Sequence, residues 1–530
     1  MRTIPRRVWI FTAVLVTVAS VPYLVGYLNA PPGGAFTGDA VHTTIVDFYS
    51  HLAKMQIGLR GEWLYRILFT SDEHPGLLIQ TFYVALGHLA RVMGASPVLV
   101  YHLARVVFTA AMAVTIWLFV ARFLADDRTR WTAFLLATIT GGLGWALYFL
   151  APAQTAQISP IEFWLLDAYT FLCALTFPHF PAVVAGLLAF FLAADRWLRV
   201  PGWRPIPLLT LLGLLVGWIQ PFDMLLTALV LAALTGWAVA RGAMRRAQAL
   251  MLMPVAGVHL LVVGYHYLAM TSHPVWDAFN AQNITLSPPP LYYLFGYFWL
   301  LVPAVVGLIH AWRKREARLL LPVVWVGLTA ALVYAPLQMQ RRFLMGVQVP
   351  LAVLAAAGLA QIDRWWLKQG WSPRWWGQVW LAGLLLSAAT HVALLTMTIR
   401  TANPEDRPAL YLTADDLAAL DWLRDQPPDT VILGAFSTGG KAAAYTGRRT
   451  YLGHWYETGD YQGRKARVQA FFQPAGMTDA ERLRLLEEAG INYIWHDDAA
   501  RALGDWSPDA AAFLRLVFHS GAVAVYEVRP

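Results

Sequence analysis

Asp47, His51 and Lys54 stand at i, i+4 and i+7 of one stretch with apolar residues at helical spacing, so a helix there puts a carboxylate, an imidazole and an ammonium on one face. A carboxylate so placed can take the proton of an attacking hydroxyl, and a nearby cation can steady a departing anion. Asp39 lies eight residues earlier. Two further acids, Glu162 and Asp167, occupy a later stretch that holds no Lys or Arg. Arg341 and Arg342 are adjacent, and paired guanidinium groups suit a phosphate. An ordinary lipid headgroup would satisfy the same pair. His74 before Pro75, and His179 between Pro178 and Pro181, are secondary candidates; a packed histidine bonded to a carbonyl is the plain alternative for His179.

The elements that must position these residues are apolar. Hydrophobic residues make up 58% of the 530 and charged ones only 14%, which describes a polytopic α-helical membrane protein. About eleven stretches could cross the bilayer as helices, near 8–28, 99–121, 131–150, 177–194, 206–219, 222–240, 248–269, 291–311, 319–336, 343–361 and 377–399. The first follows a basic start and is read as an uncleaved span. With the N-terminus inside, alternate loops carry Arg122, Arg128 and Arg130; Arg196, Arg199 and Arg204; Arg241, Arg245 and Arg246; and Arg313, Lys314, Arg315 and Arg318. The short opposite loops at 151–176, 219–222 and 270–290 carry no Lys or Arg, as the positive-inside rule expects. The net charge of +8 is therefore an orientation signal and implies no nucleic-acid partner. Cys173, the single cysteine, forms no internal disulfide.

Two outer pieces interrupt the pattern. Residues 29–98 form a first outer loop far longer than packed helices need, with amphipathic stretches at 43–68 and 75–93 expected to lie along the membrane surface. Within 1–399, read as the membrane domain, seven of the 14 acids fall in this loop and in the second outer loop, 151–176. From residue 400 to 530 the composition is that of a soluble α/β domain. Thr413-Ala414-Asp415-Asp416 opens a helix there, and strands are expected at 430–435, 491–496 and 522–528. An odd number of spans puts this domain outside. The Gly434–Lys441 segment has the wrong spacing for a phosphate loop.

The order of these features resembles the GT-C superfamily of integral-membrane glycosyltransferases, bacterial and mannosyltransferase-like. Members share an acid in a long first outer loop with surface helices, a second acid in the next outer loop and a C-terminal outer domain. Asp47-Phe48-Tyr49-Ser50-His51 is similar to the acid-x-Tyr-x-His pattern of some members. Gly61-Glu62-Trp63, His74-Pro75, Phe177-Pro178-His179-Phe180 and Arg341-Arg342-Phe343 look like recurrent segments of bacterial ones. Many members carry two adjacent acids in the first loop, whereas Asp39 and Asp47 are separated, so the metal and the base stay open.

The resemblance implies a hexosyl or pentosyl transfer from a polyprenyl-phosphate sugar to a glycan, lipid or protein acceptor, with inversion, at the extracytoplasmic face of a bacterial plasma membrane. Asp47 would act as base, Asp39, Glu162 or Asp167 would assist, and Arg341, Arg342 and Lys54 would hold the donor phosphate. A divalent cation, Mg or Mn, could take part. Two other classes fit a polytopic chain: a transporter or flippase, and a scaffold that binds glycolipid without turnover. Transport would call for ionisable groups in mid-membrane, but the span cores hold almost none: Arg105 and Asp223 lie near presumed ends, and His259 and His266 are the main polar exceptions in the seventh.

Overall fold

The computed structural model describes residues 4–41, 44–151, 153 and 158–529; Arg2, the first residue of the 43–68 stretch and part of the 151–176 loop lie outside the described residues. The chain is mainly helical. Among the described residues, six helices are long and apolar enough to cross a membrane: Arg6–Leu28, Pro97–Phe123, His179–Arg199, Asp223–Ala240, Arg246–Met270 and Pro373–Arg400. Two bent pairs, Asp127–Ile139 with Gly144–Leu150 (52°) and Pro290–Gly296 with Phe298–Lys314 (90°), raise the number to eight if each is one span. Ile206–Ile219 and Ala317–Leu332 are apolar but shorter. With Gln348–Lys368 over the stretch at 343–361, a helix falls on each of the eleven apolar stretches, two of them broken where a continuous rod was expected, while six to eight are long and apolar enough to cross a membrane.

The chain divides into two compact units. The first comprises Met1–Ser20, Leu103–His266 and Ile284–Met397. Its helices Phe298–Lys314 and Gln348–Lys368 pack through glycines: a Cβ on Gly307 would strike the Leu354 carbonyl, and one on Gly358 the Pro303 carbonyl. In lipid, where apolar burial gives no drive between helices, such backbone approach is what holds them. Arg105 is buried, and its guanidinium donates to the carbonyls of Ala19 and Ala174 (each 3.1 Å) and to the Ser20 hydroxyl. That arginine is a clasp between helices.

The second unit comprises Val21–His102, Tyr267–Asn283 and Thr398–Pro530. The long first loop and the C-terminal domain therefore belong to one body, so the boundary at 399/400 does not separate them. Helix Ile45–Leu59 packs against helix Thr81–Met93, with Gly58 and Gly87 placing the two backbones in contact. Its other side meets helix Phe436–Thr446, where Tyr49 lies on Gly440 and the Gln56 amide donates to the Ala444 carbonyl at 2.8 Å. Residues 48–50 and 52–58 are buried. Helix Ile45–Leu59 is thus enclosed by protein rather than laid on a lipid surface along one face, because two glycines and an alanine-rich partner helix allow close approach on both sides.

The C-terminal part carries a five-stranded sheet of β3 (Val431–Leu433), β4 (Arg449–Thr450), β5 (Tyr493–His496), β6 (Leu514–Ser520) and β7 (Val523–Val528), ordered β4-β3-β5-β7-β6. β3 is parallel to β4 and β5, and β7 is antiparallel to β5 and β6. Three of these five strands match the sequence expectations. The Thr413 hydroxyl accepts from the Asp416 N–H and the Asp416 carboxylate returns the bond, which starts helix Ala414–Arg424 as expected. In helix Phe436–Thr446 Lys441 pairs with Asp416 at 2.8 Å. A two-stranded strap, β1 (Ala35–Phe36) against β2 (Tyr411–Leu412), ties the first loop to this domain.

Candidate active site

In the second unit, Asp47 sits in the first turn of helix Ile45–Leu59, where the helix N-terminus favours negative charge. Its side chain is 40% exposed, and Oδ1 lies 3.6 Å from Nε2 of the buried His454. One and two turns on, the same helix presents Ser50 and Lys54 to a carboxylate that sequence reasoning did not single out. The Lys54 ammonium donates to Glu457 Oε1 at 2.9 Å and to the Ser50 hydroxyl at 2.6 Å. The hydroxyls of Ser50 and Tyr65 also donate to Glu457. Burial by itself would raise the Glu457 carboxyl, but the Lys54 charge, His454 and the two hydroxyls overcome it and hold the group down to about 2. Lys54, expected at a donor phosphate, is thus buried in an ion pair whose partner is 403 residues away. Nothing local in the sequence announces that pairing.

Asp39 is buried. Its carboxylate accepts from the Thr44 hydroxyl at 2.6 Å and the Val41 N–H at 3.4 Å, and burial pushes its pKa up to about 7 despite those bonds. His51 stacks face to face on Tyr83, ring centroids 4.0 Å apart. His74 accepts the Ile67 N–H at Nε2 and donates from Nδ1 to the Asp72 carbonyl, both at 2.9 Å, and burial lowers its pKa. It staples a loop. In that loop Asp72 pairs with Arg464 and Glu73 with Arg449.

In the first unit, Glu162 is buried in a short 3₁₀ turn, and its Oε1 accepts the Gly144 N–H at 2.8 Å. A Cβ on Gly142 would collide with the same oxygen, so glycine there lets the broken helix fold around the carboxylate. Burial raises the Glu162 pKa. Asp167 is 3% exposed and 3.3 Å from the Arg342 guanidinium, which keeps 29% of its side chain exposed. Arg341 lies over the Trp164 ring at 5.1 Å. Asp223, at the start of helix Asp223–Ala240, is within electrostatic reach of Asp167 and Arg342. His179 begins helix His179–Arg199 after the irregular backbone at Thr176, flanked by the rings of Phe177 and Phe180.

The four candidate acids thus fall into different states: Asp39, Glu162 and Asp167 are enclosed and Asp47 is open. Among the described residues no group of three or more His, Cys, Asp or Glu could hold a metal ion.

No protein-family model and no curated sequence matches the chain. Among solved structures it is similar to the oligosaccharyltransferase of Archaeoglobus fulgidus tethered with an acceptor peptide, at 15% identity over 92% of this chain and 68% of that one, TM-score 0.46. It is similar to the arabinofuranosyltransferase AftD from Mycobacteria, at 16% identity over 100% of this chain and 42% of that one, TM-score 0.49. It is also similar to ArnT from Cupriavidus metallidurans bound to undecaprenyl phosphate, at 13% identity over 98% of each, TM-score 0.45.

Proposed function

We propose that this chain is an integral-membrane glycosyltransferase of the GT-C type. It moves one monosaccharide from a polyprenyl-phosphate donor to an acceptor hydroxyl or amide at the extracytoplasmic membrane face, with inversion. Asp47 supports the reading most directly, since it alone of the four candidate acids keeps a large part of its carboxylate open while one oxygen faces a buried imidazole. In the reaction the acceptor proton passes to Asp47 as the acceptor heteroatom bonds to the anomeric carbon. The bond from that carbon to the phosphate oxygen breaks, and its electron pair leaves with the phosphate. Attack opposite to departure inverts the centre. Arg342, partly exposed, and Arg341, backed by Trp164, suit a lipid phosphate. Asp167 orients Arg342. Lys54, tied to Glu457, has no part in holding donor. The asymmetry of basic loops supports the extracytoplasmic placement.

The test is incubation of the purified protein in lipid with a panel of labelled polyprenyl-phosphate sugars. Consumption of one donor is expected, and Asp47→Asn should slow it by ~10²–10⁴-fold. Arg342→Ala should raise KM for the same donor. Failure of the wild-type protein to cleave any donor, or full turnover by Asp47→Asn, overturns the reading; donor carried across the membrane uncleaved would indicate a flippase instead.

A further inference from the structure

The turn from His454 to Glu457, in the second unit, meets one face of helix Ile45–Leu59 at three residues. Glu457 takes Ser50 and Lys54, and His454 meets Asp47 one turn earlier. The imidazole is itself fixed. Its Nδ1 accepts the backbone N–H groups of Tyr456 and Glu457, each at 3.1 Å, so the ring proton belongs on Nε2. That nitrogen is buried without a hydrogen-bond partner and lies 3.6 Å from Asp47 Oδ1, and the ring is 3% exposed and lies against Phe69. An ion pair of buried Lys54 and Glu457 sets the rotation of the helix at the same turn.

We propose that His454 is a positioning residue for Asp47. Its Nε2 faces one carboxylate oxygen and leaves the other open to the acceptor. The proposal rests on the glycosyltransferase reading for its effect on rate, but the contact can be tested without it. Asn and Gln separate the two ends of the imidazole: Asn can replace Nδ1 and cap the turn without reaching Asp47, and Gln can carry an N–H to the place of Nε2.

If His454 orients Asp47, His454→Gln should keep kcat within about threefold of wild type, and His454→Asn should lower kcat at least about tenfold with KM for the labelled donor little changed. Retention of kcat by His454→Asn, or equal loss in both variants, would show a role confined to the turn and overturn the proposal. A thermal cycle of Asp47→Asn, His454→Asn and the double variant, in detergent without donor, tests the contact separately. Non-additive shifts in Tm are expected, with His454→Gln keeping the coupling; additive shifts sink the proposal even where the protein turns over sugar. Should wild type cleave no donor, the function reading fails, and the Tm cycle by itself then decides whether His454 and Asp47 are coupled.

Discussion

Glu457 in the second unit and Glu162 in the first are both buried glutamates, yet their pKa values are moved in opposite directions. Glu457 is surrounded by an ammonium and two hydroxyls and is held ionised down to about 2. Glu162 has backbone N–H groups and no cation, and burial raises its pKa. The difference shows that burial alone does not decide what a carboxylate can do; the charge of its nearest donor does. Glu457 is a structural anion, whereas burial disfavours the charged form of Glu162. Asp47, with a buried imidazole beside it and 40% of its side chain exposed, belongs to neither kind.

Removing the cation from the first of these sites should break the contrast most. Lys54→Met leaves Glu457 charged without its partner and is expected to cost the second unit about 3–5 kcal/mol, read from thermal unfolding at pH 7. Adding Glu457→Gln should restore much of that loss. A Lys54→Met protein as stable as wild type would mean that the hydroxyls suffice. The pH dependence has a fixed sign: because the folded pKa is depressed, the stability that Glu457 contributes is complete above its ordinary value near 4.5 and is lost as pH falls through about 2.

At Glu162 the donor is backbone, so Glu162→Ala should cost about 1–3 kcal/mol by orphaning the Gly144 N–H. Asp39 sharpens the same comparison inside the second unit. Its folded pKa is raised to about 7, so its stabilising contribution is complete below the ordinary value near 3.8 and falls away as pH rises from there through about 7. Asp39→Asn should therefore raise Tm at pH 8, by a gain on the order of 1 kcal/mol, and change little at pH 4. A Tm at pH 8 below that of wild type would show that the ionised form is held by more than Thr44 and Val41. Glu162→Gln keeps the acceptor oxygen and needs no proton, and should stay within about 0.5 kcal/mol of wild type at neutral pH. A larger loss would mean that the negative charge itself is used at the broken helix.

Much of the helical layout was legible because hydropathy is local: each apolar run is long enough to satisfy its own backbone, and lipid forces the same choice on each. The helix at Ala414 and the strands at 431–433, 493–496 and 523–528 were legible for a like reason, from a capping pair and short β-branched runs. The break at Thr140–Leu143 was not, although Gly141, Gly142 and Gly144 mark it, because a glycine in an apolar run also occurs in straight spans. Nor was strand β6, whose exposed and half-buried residues include charged and polar ones.

The sequence by itself determined which stretches are helical, that Asp47 shares a helix face with Lys54, and that acids gather in two loops. Only the tertiary structure decided which of those groups are available. Lys54 is neutralised by Glu457 from the far end of the chain, Asp39 is closed in by its own turn, and Asp47 meets the Nε2 of His454. Helix formation follows from contacts a few residues apart, but the state of a charge follows from whatever the fold brings within a few ångströms, and for Lys54 and Asp47 those partners lie some 400 residues along the chain.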